Sequence, residues 1–414
     1  MTVFDVGITT LTNVDAISKL AYDIRDMDAY IKDGDYLNAK RVYDDGRNAA
    51  LYDNFGNELE DFIALKNMGR AGLDGANGDQ DAGLFSEDPS FLFQILGMMT
   101  VGQSIDESIS QYAAYADQFI TEQLNDVTAG NLGAQASTIL TVQMHAMHQL
   151  WDGISDCFSI QNGFNPDADQ TGNINPKKSF DNFIALYVGA GQTLGPEFDG
   201  DMLYAHAQVA ASHFDTTNDN GEALVNVDVR TLYQSIQRNL SEDNYCTREE
   251  TIEELWTLVN RIIAKMYIPL VQMLIHAMKN EDSSHMVRMY ALAIIPQLSQ
   301  CRPSIQRRLK SSLLDRKYDK QDFSRILSLL QQSYDCLGFS CEDVGAYEDA
   351  VVAECAGYDA DHALAGFVPK EDVRTVSKSL YSFYYHSLFF AAFAYPNQYN
   401  KLTIVFSWIV IPKK

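Results

Sequence analysis

Residues 290–347 read YALAIIPQLSQCRPSIQRRLKSSLLDRKYDKQDFSRILSLLQQSYDCLGFSCEDVGAY, which sets two helical periods ahead of a tight Cys336-Leu-Gly-Phe-Ser-Cys341 turn and a stop at Gly345. The same three-and-four spacing of apolar residues recurs outward along the chain. Near the start it runs through Val14, Ile17, Leu20, Ile24, Met27 and Ile31 until Lys32-Asp33-Gly34-Asp35 breaks it. A second short helix is predicted from Tyr36 to Asp45, ending at Gly46. Further helices are expected at about 90–125, 132–153, 178–189, 199–214, 225–240, 248–280, 284–300, 303–314 and 321–337, with Pro269 and Pro296 placed to kink two of them. Sustained period-two alternation is nearly absent. The expectation is an all-α fold, a multi-helix module of packed helical hairpins with long Gly/Asp-rich loops.

The module is expected to span residues 10–370. Ala71 to Gly83 reads as a Gly/Asp/Asn-rich loop. Asn162 to Asn175, polar and containing Pro166 and two glycines, reads as a surface loop or as the meeting point, near 162–178, of two sub-halves. Residues 35–46, DYLNAKRVYDDG, match one turn of a tetratricopeptide-like array, but the 34-residue recurrence such an array needs is not found downstream. Val14, Ser18, Lys19 and Tyr22 recur with the same spacing as Val373, Ser377, Lys378 and Tyr381. On that reading residues 371–414 begin a second copy and then depart from it, because the segment 387–414 is apolar, acid-free and strand-like. This tail reads either as membrane-associating or as a terminus foreign to the module, and its LTIVFSWIVI run has the composition of an aggregation-prone strand.

Lys and Arg number 31 against 56 Asp and Glu, a net charge of −25 spread along the chain. Nothing supplies the basic stripe that phosphate neutralisation needs, so nucleic acid is not an expected partner. Such a field attracts cations, although a solvated acidic surface is its commoner meaning. The six cysteines show no zinc spacing, which leaves disulfides or ordinary free thiols, with disulfides the expectation; Cys336 and Cys341 flank a glycine and are close enough to close a small loop, with the pairing left open. The N-terminal residues carry neither a basic n-region nor an apolar h-region, and no run of about eighteen apolar residues occurs. GxSxG, Walker A, HExxH, EF-hand and GxGxxG signatures are missing, so no enzyme is expected. The stretch 74–88, DGANGDQDAGLFSED, has its carboxylates at the wrong places for a calcium loop.

Two constellations carry ligand chemistry. In TVQMHAMHQLWDGISDC, residues His145, His148 and Asp152 stand at i, i+3 and i+7, on one helical face. The second is SFDNFIALYVGAGQTLGPEFDGDMLYAHAQVAASHFDT, residues 179–216, which gathers Asp181, Tyr187, Asp199, Asp201, Tyr204, His206, His213 and Asp215 around a glycine-rich turn. Phenolate, carboxylate and imidazole suit a ferric ion, and a Gly turn lets backbone N–H groups approach a small anion. The candidate metal ligands are therefore Tyr187, Asp201, Tyr204, His206 and His213, with His145, His148 and Asp152 as the alternative. Tyr204 and His206 are two apart and diverge on a regular helix, and His206 and His213 are separated by about 10 Å of helix rise.

The acidic-aromatic run from Asp181 to Gly189, the Gly191–Gly200 loop, the Leu203-Tyr204-Ala205 helix start, MYIPLVQMLIHAMK at 266–279 and SYDCLGFSCEDVG at 333–345 together resemble motifs of one family, the iron-assimilating proteins of green algae, whose diatom relatives are the phytotransferrins. The resemblance implies a protein of the cell surface, periplasm or extracellular space that captures Fe³⁺ for uptake, in diatoms together with a synergistic carbonate. Its implied partners are the ferric ion and that small anion, with membrane association through a leader outside the sequence given or through the C-terminal segment. The chain departs from the family pattern in lacking a leader and a second cysteine in its HFDTTND segment. The competing expectation is a non-catalytic helical scaffold for protein–protein interaction.

Overall fold

The computed structural model describes residues 1–52, 58–69, 115–126, 131–163, 174–194, 200–242, 244–248, 250–280, 284–299 and 301–347. These all belong to the unit Met1–His362, the rest of the chain forming a second unit from Ala363. The expected helix before residue 115, the Gly/Asp loop at 71–83, the calcium-like stretch, Asp199, Cys355 and the readings on 371–414 lie outside the described residues.

The fold is all-α. Its helices are α1 (Asp15–Ser18), α2 (Leu20–Lys32), α3 (Tyr36–Asp45), α4 (Leu65–Gly69), α5 (Tyr115–Asn125), α6 (Gly133–Ala136), a π-helical turn (Ser137–Val142) that runs into α7 (Gln143–Gln161), α8 (Pro176–Val188), α9 (Leu203–Phe214), α10 (Leu224–Leu240), α11 (Thr251–Lys279), α12 (Ser284–Ile294), α13 (Pro303–Leu313), α14 (Phe323–Gln331), α15 (Tyr334–Leu337) and α16 (Cys341–Val344). Local chemistry sets many of the ends. Asp35 caps α3 by accepting from the Asn38 amide at 3.2 Å, and Gly46 closes it with φ +70°, where a Cβ would sit 2.7 Å from the Ile63 carbonyl. Asn175 caps α8 with Pro176 in its first turn. Around Pro296 the end of α12 tightens into the 3₁₀ turn Ile295–Ser299, and the single helix expected at 321–337 divides into α14 and α15.

The longest helix among the described residues, α11, is the hub: α7, α9, α10, α12, α14 and α16 all pack on it. By length and composition α11 would cross a membrane, but most of that apolar surface is buried inside the protein. It runs through Pro269 without interruption, with Ile268, Pro269, Leu270 and Val271 all buried. Helices α7 and α8, on either side of the polar 162–175 segment of the sequence, pack directly on each other.

Two small hairpins interrupt the helical pattern, strands β1 (Val3–Phe4) and β2 (Ile8–Thr9), then β3 (Ala50–Tyr52) and β4 (Glu58–Phe62), both antiparallel. The first buries Phe4, Val6 and Ile8, and its exit is tied to α8. The Thr12 amide and hydroxyl donate to Asp181 Oδ2 at 2.5 and 2.8 Å, while the Tyr233 hydroxyl donates to Oδ1 at 2.5 Å. Asp181 is thus a buried carboxylate fully used in joining the N-terminus to α8 and α10.

Cys157 pairs with Cys246, linking the end of α7 to the turn before α11, and Cys301 pairs with Cys336, linking the entry of α13 to α15. The small loop from Cys336 to Cys341 is therefore not closed: Gly338, at φ +90°, turns the chain between them and places the two cysteines on different helices. Cys341 is disulfide-bonded to a partner outside the described residues. By loop-closure entropy the two described bridges stabilise the fold by about 4 kcal/mol each.

Candidate functional site

The predicted ligands divide among different environments. Tyr187 on α8 and Tyr204 on α9 do come together, their rings 6.3 Å apart and edge to face. Both are buried, and both hydroxyls are spoken for. Tyr187 donates to Asn226 Oδ1 at 2.7 Å and Tyr204 to Glu222 Oε1 at 2.7 Å. Arg230 grips both oxygens of Glu222 at 2.5 and 3.0 Å, and the Asn226 amide returns a bond to the Tyr204 carbonyl at 3.0 Å. Burial pushes both phenols above their ordinary range, with the neighbouring Glu222 adding to the shift. A cation entering here must remove two phenolic protons and break a satisfied network, so these two residues fit ferric ligation poorly as they stand.

The other three predicted ligands face elsewhere. Asp201 pairs with Arg25 at 2.8 Å. His206 stacks on Tyr290 with ring centroids 5.6 Å apart; its Nε2 is sealed from solvent with no hydrogen-bond partner among the described residues, and burial lowers its pKa to about 4. His213, half-buried in the last turn of α9, lies against His276 of α11. The alternative set divides too. His148 Nδ1 donates to Asp152 Oδ2 at 2.7 Å, but His145 is wholly buried, with Nε2 donating to the Met68 carbonyl at 2.8 Å and desolvation lowering its pKa to about 3. Spacing put the three on one face; packing against α4 turned His145 into the core.

The candidate ligand cluster that solvent reaches is the one around His213. Its ring stands 4.1 Å from that of His276, tilted by 32°. The Tyr347 hydroxyl lies 3.2 Å from His276 Nδ1, and Asn280 Nδ2 donates to the same hydroxyl at 2.9 Å. All three rings are half-buried, so solvent reaches them. Their placement is built by the backbone. Gly345, at φ +79°, passes so close to α9 that a Cβ would collide with the Phe214 carbonyl, and the Ala346 amide donates to that carbonyl at 3.1 Å. Gln272 of α11 holds the same segment by donating to the Val344 carbonyl at 2.8 Å and to the Thr216 hydroxyl at 3.1 Å. Phe214 then packs edge-on to Tyr347, ring centroids 5.2 Å apart.

Sequence reading singled out His213 but missed His276 and Tyr347. His276 and Tyr347 are 71 positions apart, beyond any spacing rule, although His276 falls in the 266–279 segment and Tyr347 closes the 290–347 stretch. Two imidazoles and a phenol offer borderline-to-hard ligation to one cation and leave positions for an anion and water. Among the described residues, no group of three or more His, Cys, Asp or Glu is arranged to hold a metal ion. Any site here therefore depends on a phenol as third donor. Comparison with protein-family models, with curated proteins and with solved structures finds no match for this chain.

Proposed function

We propose that this chain captures ferric iron as cargo, without catalytic turnover, and that His213, His276 and Tyr347 supply the protein ligands, with a small anion such as carbonate completing the coordination. The observation that carries this reading is the accessible convergence of His213 and His276 with the Tyr347 hydroxyl at 3.2 Å from His276 Nδ1. The resemblance to iron-assimilating proteins supports iron as the metal, and the net charge of −25 favours cation approach. Disulfides support work in an oxidising setting, at the cell surface or in a periplasmic or extracellular space.

A phenol ordinarily holds its proton to about pH 10, and a strongly Lewis-acidic ion removes it at neutral pH. Binding then releases protons and weakens as the medium acidifies, which provides a route to unloading. The test is an equilibrium titration with ferric nitrilotriacetate, with and without bicarbonate, following a visible phenolate-to-iron charge-transfer band. Saturable binding whose band is lost in Tyr347→Phe supports the reading. A band that survives in Tyr347→Phe and disappears in Tyr187→Phe with Tyr204→Phe moves the site to the buried pair. No saturable binding under either condition overturns iron capture and leaves the helical scaffold as the better account.

A further inference from the structure

The segment 302–325 inverts the charge of the molecule, with eight Lys or Arg against three Asp and no Glu in a chain of net charge −25. It forms the hairpin of α13 and α14. On α13 the apolar face, Ile305, Leu309 and Leu313, is buried, and the opposite face turns Ser304, Arg307, Arg308 and Ser311 outward at helical spacing. Across the hairpin stand Arg316 and Arg325, and the four guanidinium groups with three serines line an open cavity of about 470 Å³. No acidic or apolar side chain lines it.

Its far wall is fixed in place. Asp322, beside the cavity, is shared between Arg316 and Arg325, the latter at 2.9 Å, and Arg325 also donates to the Ser312 hydroxyl at 3.2 Å. One carboxylate against two guanidinium groups leaves a positive surplus. On the near wall Arg307 and Arg308 are exposed and make no ion pair among the described residues. Guanidinium forks match the tetrahedral oxygens of phosphate in a bidentate way and stay charged at every physiological pH. The cavity is of the size that holds a small organic or polyphosphate ligand rather than one inorganic anion.

We propose that this cavity is a binding site for a compound carrying two or more phosphate groups, with the phosphates as the recognised part. Such groups occur on free solutes and on lipid headgroups; the strongly negative remainder of the chain is repelled by an anionic bilayer, which assigns the site to a free solute. The site is independent of the iron reading, since none of its residues belongs to the His213 cluster.

The experiment is isothermal titration of the metal-free, full-length protein with inorganic pyrophosphate, repeated for two double variants. Arg307→Ser with Arg308→Ser removes two cavity charges without breaking an ion pair or side-chain hydrogen bond among the described residues, and is expected to weaken binding at least about tenfold, the loss of one or two charge-assisted hydrogen bonds. Lys317→Ser with Lys320→Ser removes the same charge from the same segment outside the cavity, and is expected to change affinity by less than about threefold. Unfolding midpoints establish that both variants keep the fold. Absence of saturable pyrophosphate binding, or equal weakening by the two variants, overturns the proposal. A parallel sedimentation with phosphatidylinositol bisphosphate vesicles separates the sources: binding to vesicles without binding to pyrophosphate overturns the assignment to a free solute.

Discussion

Two clusters less than a helix apart in sequence use the same residue chemistry to opposite ends. At one end of α9, Tyr204 is locked with Tyr187, Glu222, Asn226 and Arg230 into a network where the phenols and the carboxylate are partnered. At its other end His213 lies against His276, which contacts Tyr347, all at half-buried positions where Asn280 bonds both the His276 ring and the Tyr347 hydroxyl. The first arrangement is expensive to disturb, because each group removed strands another in a low-dielectric interior. The second is reached by solvent, and the function proposed above has it exchange internal contacts for a ligand. Ligand-type residues are a poor guide to a site until one knows which of them are already satisfied.

Acidification disturbs the comparison most. His145 and His206 are held neutral by burial, with pKa values of about 3 and 4 against an unfolded value near 6.5. Lowered histidine pKa values mean that the unfolded chain binds protons first, so the stability these groups confer is whole above pH 6.5 and is lost as pH falls towards 4 and 3. His145 alone accounts for a loss on the order of 3 kcal/mol by pH 4. Urea unfolding across pH 7 to 4 is expected to show this loss, and His145→Gln to reduce it. On the function proposed above, any ferric release at pH 6, above most of that window, is expected to reflect proton competition at the ligands and not unfolding.

Arg230→Met comes next, leaving the nearly buried Glu222 carboxylate without its cation. It is expected to cost about 3 kcal/mol in urea unfolding, with ferric binding by the surviving folded protein unchanged. Tyr187→Phe strands Asn226 Oδ1 and is expected to cost about 1–2 kcal/mol, again with no change in the charge-transfer band. Tyr347→Phe is the smallest perturbation of stability, within about 0.5 kcal/mol for a half-exposed hydroxyl, and yet the one that removes the band. If Tyr187→Phe abolishes the band and Tyr347→Phe spares it, the closed network is the ligand set and the comparison is reversed.

Helix positions were legible because their causes are local. The run from Tyr36 to Asp45 ends at Gly46 both in the pattern and in the fold, since Asp35 can cap and only glycine takes that backbone turn at that approach to Ile63. The start of α13 at Pro303 was similarly legible. The β1–β2 hairpin was not, because two-residue strands hold no period to detect, and its anchors lie far along the chain: Arg230 on the Val6 carbonyl, Gln237 on the Thr9 carbonyl and Asp181 on Thr12 just beyond it. The partner of Cys336 was not legible either, since proximity in sequence ignores the turn at Gly338.

By itself the sequence determined the helical class, most helix ends, the acidic field and the residue types able to hold a metal, because periodicity, capping and charge act over a few residues or by simple summation. Only the tertiary structure decided which of those residues are available. Burial consumed Asp181, Tyr187, Tyr204 and His145 in internal hydrogen bonds, while the packing of α9 on α11 and the Gly345 turn brought His213, His276 and Tyr347 together. Satisfaction and convergence are properties of long-range contacts, and no local pattern encodes them.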